Sequence, residues 1–257
     1  MSLLRIEGLT RRFGGLVAVD NVTLDIPPRR LSAVIGPNGA GKTTLFNMIS
    51  GFIPPSAGRV HFDGHEITAN APERIASRGL IRTFQLVQLF EGLSVLENVK
   101  IGCHLHTRGG LLAALMPLAG ARAEEAAVEA EAHRLLQETG LADQAATSAA
   151  VLPYGQKRLL EITRALAARP KLLLLDEPAA GLNRQETDAL AALLRRIVAN
   201  GTAILLIEHD MQLVMNVADQ VAVLDFGRLI AQGKPEEVRR NPDVIAAYLG
   251  TQEAARA

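Results

Sequence analysis

From Val17 to Ile26 the chain settles into alternation, with Val22, Leu24 and Ile26 set against Thr23 and Asp25. That pattern predicts a half-buried strand. Leu31 to Gly36 is instead a short apolar run stopped by glycine, which predicts a strand buried on both faces. The stretch "TTLFNMISG" that follows has helical spacing and ends at Gly51. Further buried strands are expected at Leu172 to Leu175, Thr202 to Glu208 and Val221 to Asp225. Helical segments lie between them, such as the one that starts at Arg184. Alternation of this kind predicts parallel strands joined by crossover helices, an α/β fold.

Between about Asn70 and Leu152 the pattern changes. This middle stretch is rich in Ala, Leu, Glu and Arg, and "AEEAAVEAEAHRLLQETG" is its clearest amphipathic helix. It reads as a mostly helical subdomain inserted in the α/β core, entered after a short strand at Leu80 to Phe84. Near the end, "NPDVIAAYLG" has Asn241 to cap a helix and Pro242 at its first position. No internal repeat is visible.

Composition narrows the classes. The 257 residues fit one large domain or a core with a subdomain, and 48% hydrophobic content is ample for burial. Lys+Arg and Asp+Glu both number 27, so no overall field favours nucleic acid. The single Cys103 excludes an internal disulfide framework. Arg5 and Glu7 come too early for a signal peptide. The longest uncharged apolar run, Gly109 to Ala121, has 13 residues and falls short of the ~20 that span a bilayer. A soluble or peripheral protein is expected, with that run packed on the helical subdomain or close to a membrane face. "CHLH", Cys103 to His106, lacks a second ligand pair nearby and is not read as a metal site.

The chemistry concentrates in three places. "GPNGAGKTT", comprising Gly36, Pro37, Asn38, Gly39, Ala40, Gly41, Lys42, Thr43 and Thr44, matches G-x-x-x-x-G-K-[ST] between a buried strand and a helix. Its glycines let successive backbone N–H groups face phosphate oxygens, and the helix dipole adds positive potential. Lys42 suits the β- and γ-phosphates, and the Thr43 hydroxyl suits Mg²⁺. "LLLLDEP" ends a buried strand with Asp176 for the Mg²⁺ shell and Glu177 to polarise an attacking water. "LLIEHDM" ends another strand with His209, placed to sense the γ-phosphate.

Together with Gln85 in "RTFQ" and the stretch "LPYGQ" from Leu152, these elements resemble, in order and over essentially the whole chain, the nucleotide-binding subunit of ABC transporters. The resemblance implies a P-loop NTPase fold of the ABC-ATPase type. Its core sheet is mainly parallel, with an antiparallel N-terminal β-subdomain and an inserted helical subdomain. One ATP-binding domain would span 1–257, with its core at 1–84 and about 153–240. The insertion would take about 85–152, and a C-terminal helix and tail 241–257. It implies ATP and Mg²⁺ as ligands, Phe13 against the adenine, and Gln85 with Thr43 and Asp176 at the metal. "LPYGQ" would be the signature loop, so that Pro153, Tyr154, Gly155 and Gln156 act on ATP held by a second subunit. Three positions depart from the family pattern: Pro153 replaces a serine, Tyr154 a glycine and Asn183 the usual aspartate.

The stretches "RTFQLVQLFEGLSVLENV", "LDEPAAGLN", "LLIEHDMQLVM" and "NPDVIAAYLG", with the long insertion, are similar to the ATPase subunit of branched-chain amino-acid importers. That implies a distinct but related second ATPase subunit, two membrane permeases and, indirectly, a periplasmic substrate-binding protein, with no nucleic acid. The expected place is the cytoplasmic face of the inner (plasma) membrane, peripheral, coupled through Gln85 and the surface from Leu86 to Val99. Urea and short-amide importers and a lipopolysaccharide-export ATPase share much of the pattern, and the longer insertion argues against the last. Soluble ABC ATPases of translation or DNA repair carry two cassettes or long coiled coils, and this chain has neither. Glu177 and His209 argue against a non-hydrolysing regulatory module.

Overall fold

The computed structural model describes residues 2–83, 87–103 and 119–254. They divide into two compact units, the first being Met1–Arg82, Lys171–Ala180 and Thr187–Ala257, the second Thr83–Pro170 and Gly181–Glu186. The first unit begins with β1 (Leu4–Phe13), β2 (Leu16–Ile26) and β3 (Leu31–Ile35). Helix α1 (Lys42–Ile49), strands β4 (Ala57–Phe62) and β5 (His65–Glu66), helix α2 (Pro72–Ala76) and strand β6 (Leu80–Arg82) follow. Strands β2, β1, β4 and β5 form an antiparallel four-stranded sheet in that order. Strand β2 shows the expected alternation, its buried Val22, Leu24 and Ile26 packing into the core beside α1.

Strand β1 was not legible from alternation. Gly8 sits at φ +56°, and the pairing with β2 shifts register between Ile6 and Leu9, so inward positions fall out of step. Leu4, Ile6 and Leu9 are nevertheless fully buried.

The second unit is helical. Helices α3 (Val95–Cys103), α4 (Ala119–Thr139) and α5 (Tyr154–Ala167) enclose a core that includes Val95, Val99, Ala132, Leu136 and Leu160, all fully buried. Ser94 and Glu97 open α3 with a reciprocal capping box: the Ser94 N–H donates to Glu97 Oε2 (2.7 Å) and the Glu97 N–H to Ser94 Oγ (3.2 Å). The α4 span includes the amphipathic stretch read from sequence, while most of the apolar run from Gly109 lies outside the described residues. Helix α5 packs with α3 and α4, so the helical unit extends past the span of about 85–152 that the resemblance implied. Its buried face demands this, since Leu160 and Ala167 need apolar neighbours and find them on α3 and α4.

The chain then runs through β7 (Leu172–Asp176), α6 (Arg184–Ala199), β8 (Ala203–Ile207), α7 (Met211–Val217), β9 (Gln220–Asp225) and β10 (Arg228–Gly233), ending in α8 (Pro235–Arg239) and α9 (Pro242–Ala254). The larger sheet has the order β10-β9-β3-β8-β7-β6, parallel throughout except for β10. Every residue of β3, β7 and β8 is buried, which is why they read as apolar runs in which only Ser32 and Asp176 are polar. Removing any one of their leucines to alanine removes roughly 2–5 kcal/mol of stability. Asn241 caps α9 as read, its Oδ1 accepting the Asp243 N–H at 2.8 Å.

Candidate nucleotide site

The phosphate loop leaves the end of β3 and enters α1. Gly36 adopts φ +151°, and a Cβ there would fall 2.0 Å from the Leu224 carbonyl oxygen, so only glycine lets the loop lie against β9. The Lys42 ammonium donates to the Gly36 and Pro37 carbonyls at 2.7 and 2.9 Å. Burial pulls its pKa below the ordinary lysine value, and the Glu177 and Asp176 carboxylates oppose that shift. A cavity of about 420 Å³ opens beside residues 38–44, and Phe13, Phe226 and Glu177 also line it. Thr43 and Thr44 face the same space. Phe13 is half-exposed, with the Arg11 guanidinium 4.6 Å above its ring, which leaves an aromatic face at the cavity mouth.

Parallel pairing brings the ends of β7 and β8 together, with Asp176 opposite Ile207. Asp176 is buried and takes a 3.0 Å ion pair from Arg82 at the end of β6. Arg82 also donates to Asn47 Oδ1 (2.7 Å) and Ser50 Oγ (3.0 Å), tying this carboxylate to α1 and the residue that caps its end. Burial lowers the Arg82 pKa below the ordinary arginine value, and Asp176 opposes that shift. In the sequence Arg82 carries only a weak signal, an arginine closing a short apolar strand. Glu177 follows in a left-handed conformation, φ +46°, its N–H donating to the Ile207 carbonyl at 2.9 Å. His209 Nδ1 stands 3.6 Å from Glu177 Oε2, and the imidazole is well exposed. Thus Glu177 and His209, far apart in sequence, form one acid–imidazole pair beside the phosphate-loop cavity.

The signature stretch belongs to the helical unit. Pro153 is the N-cap of α5, extended at φ −55° and ψ 152°, with no side-chain cap. The first intrahelical bond is Lys157 N–H to the Pro153 carbonyl at 2.9 Å. The N–H groups of Tyr154, Gly155 and Gln156 therefore stand at a helix N-terminus, an arrangement suited to an anion. A Cβ on Gly155 would lie 2.3 Å from Glu186 Oε1, and the Tyr154 ring lies against Gly181. Asn183 has a structural task here: its Oδ1 accepts the Glu186 N–H (3.0 Å) while Glu186 Oε2 accepts the Asn183 N–H (2.9 Å), a capping box on α6. Gln85 lies outside the described residues, as does Leu86. No group of three or more His, Cys, Asp or Glu that could enclose a metal occurs among the described residues. Asp176 and the Thr43 hydroxyl still suit Mg²⁺, which keeps waters and binds through one or two protein oxygens plus substrate phosphates.

A glycine-rich strand-to-helix loop with its lysine, and an acidic pair ending a buried parallel strand beside it, define a P-loop NTPase. A family model for ABC transporters matches residues 19–180, and one for branched-chain amino acid ATP-binding cassette transporters matches residues 228–254. The chain is 47% identical over 250 residues to BraF of Pseudomonas aeruginosa, a high-affinity branched-chain amino acid transport ATP-binding protein, with 96% of this chain and 98% of the relative covered. It is 43% identical over 249 residues to LivG of Escherichia coli, a protein of the same description, at 96% and 98% coverage. Among solved structures, the ADP conformation of MJ1267, an ATP-binding cassette of an ABC transporter, superposes with a TM-score of 0.84 at 33% identity, covering 97% of this chain and 99% of that one. The chain belongs to the ABC transporter family as an ATP-binding cassette, and it is an ATPase.

Proposed function

We propose that this cassette powers an importer for branched-chain amino acids. It is a peripheral subunit of membrane permeases at the cytoplasmic face of the inner membrane, and it works in a pair with a second, related cassette. A periplasmic substrate-binding protein delivers the cargo. No helix among the described residues is long and apolar enough to cross a membrane. In this reading the permeases supply the passage. The C-terminal stretch from 228 to 254 carries the substrate assignment, because it fits the branched-chain family model apart from the general cassette.

In the proposed mechanism Phe13 stacks on the adenine, and the loop from Gly36 to Thr44 wraps the phosphates with N–H groups. Lys42 leaves its loop carbonyls to reach the β- and γ-phosphates. Asp176, the Thr43 hydroxyl and Gln85 would hold Mg²⁺, which when bound neutralises charge on the phosphate oxygens. Glu177 orients the attacking water and takes its proton, and His209 holds Glu177 and the γ-phosphate in register. The second subunit's signature loop completes the site, and Pro153 to Gln156 of this chain do the same for its partner. Deleting the gene and measuring uptake of labelled leucine and urea tests the cargo. Loss of leucine uptake, restored by the intact chain, is expected; unchanged leucine uptake with lost urea uptake would overturn the assignment.

A further inference from the structure

Glu208 is a fully buried carboxylate for which the proposed mechanism has no use. It directly follows β8, one residue before His209. Its Oε1 accepts the Ala179 N–H at 2.8 Å, and its Oε2 accepts the N–H groups of His209 (3.1 Å) and Asp210 (3.4 Å). Ala179 lies two residues past Glu177, in a turn closed by the Ala180 N–H donating to the Glu177 carbonyl at 3.1 Å. The strand end therefore grips this turn twice, through the Ile207 carbonyl on Glu177 N–H and through Glu208 on Ala179 N–H. A left-handed glutamate persists only where its surroundings over-determine it, and these two bonds supply that constraint.

We infer that Glu208 is a positioning residue for hydrolysis: one buried carboxylate locks the backbone carrying Glu177 to the backbone carrying His209, so that the pair stays in register. The assignment rests on the roles proposed above for Glu177 and His209. The chemistry of the pocket requires an acceptor-only group. Three N–H donors converge on two oxygens, and an ionised carboxylate offers acceptors on both. A glutamine of the same size cannot serve. Either its NH₂ faces Ala179 N–H and releases the turn, or it faces His209 and Asp210 and releases the histidine. Burial raises the Glu208 pKa above the ordinary glutamate value, and the hydrogen bonds from Ala179, Asp210 and His209 oppose that rise. The imidazole Nδ1 of His209 lies 3.9 Å from Oε2.

The test is ATP hydrolysis by the assembled transporter with Glu208→Gln in this full-length chain, beside Glu177→Gln and the unaltered chain, with ATP affinity titrated in each. Loss of hydrogen bonds to a charged group should lower kcat of Glu208→Gln by about ten- to a hundredfold. KM and ATP affinity should stay within about threefold, because the phosphate loop is untouched. A kcat within about twofold of the unaltered chain, or affinity falling in step with kcat, overturns the proposal. Turnover lost in Glu177→Gln but kept in Glu208→Gln sinks this inference alone, whereas turnover kept in Glu177→Gln overturns the underlying reading as well. Hydrogen exchange in the unaltered chain decides the matter if Glu208→Gln does not fold. The Ala179 amide should exchange slowly, as a donor to a buried carboxylate, and exchange as fast as an open loop refutes the lock.

Discussion

Glu177 holds a left-handed conformation, φ +46°, which costs a non-glycine residue roughly 1–3 kcal/mol. Such strain at the end of a buried strand suits a group that must face substrate and not core. Glu177→Gln keeps the shape and loses the base, so ATP should bind normally while turnover nearly vanishes. Equilibrium binding and a phosphate-release assay check both halves, and near-normal turnover would remove Glu177 from its role. Lys42→Ala should act the other way, weakening nucleotide binding itself, because it deletes the main charge for the β- and γ-phosphates; titration with ATP measures it. Arg82 belongs to the same scale. Its ion pair with Asp176 is almost wholly buried, at 5% and 4% side-chain exposure. Removing one partner leaves a buried carboxylate uncompensated, so Arg82→Leu should cost about 3–5 kcal/mol in urea denaturation. Adding Asp176→Asn should recover part of that loss, and strict additivity of the two changes would show that the pair is not coupled.

At the scale of elements, legibility tracked how local the determinant is. Asn241 before Pro242 reads as a helix start because the cap needs only its own turn, and the structure forms that bond. The runs at 31–35, 172–176 and 203–207 read as buried strands because both faces are covered and, apart from Ser32 and the closing Asp176, every residue is apolar. The bulged β1 escaped because the shift after Ile6 depends on its partner strand. The affiliation of α5 escaped because it depends on which apolar face α3 and α4 present, and the contacts of Arg82 and Glu208 are long-range polar bonds without a sequence period. Asn183 is an instructive case. It departs from the family pattern, and the structure gives it the N-cap of α6. Asn183→Ala should therefore cost about 1 kcal/mol of stability, while Asn183→Asp, an equally good cap beside the helix dipole, should stay within about 0.5 kcal/mol. Denaturant midpoints at constant m check this, and an Asn183→Ala variant as stable as the parent would deny the box its role.

At the scale of the whole molecule, the proposed mixed pair makes the two ATP sites unequal. One site uses this chain's Lys42, Glu177 and His209 beneath the partner's signature loop. The other lies beneath "LPYGQ", where Pro153 caps α5 with neither a hydroxyl nor an N–H to offer. The N–H groups of Tyr154, Gly155 and Gln156 keep the helix terminus usable for a phosphate, so that site should be slowed but not silenced. A hydrogen bond to a charged group is worth about 1.5–3 kcal/mol, and losing one corresponds to roughly ten- to a hundredfold in rate. Most hydrolysis should then occur on this chain's own phosphate loop. Replacing the catalytic glutamate of each cassette separately in the assembled transporter measures the split. Glu177→Gln should remove most turnover and the partner's equivalent change much less, and equal losses would defeat the asymmetry. Pro153→Ser supplies both missing groups, a hydroxyl able to cap α5 and a backbone N–H. In a transporter already carrying Glu177→Gln it should raise the residual rate, because only the site under this signature loop still turns over. A residual rate that does not rise would locate the asymmetry elsewhere than at Pro153.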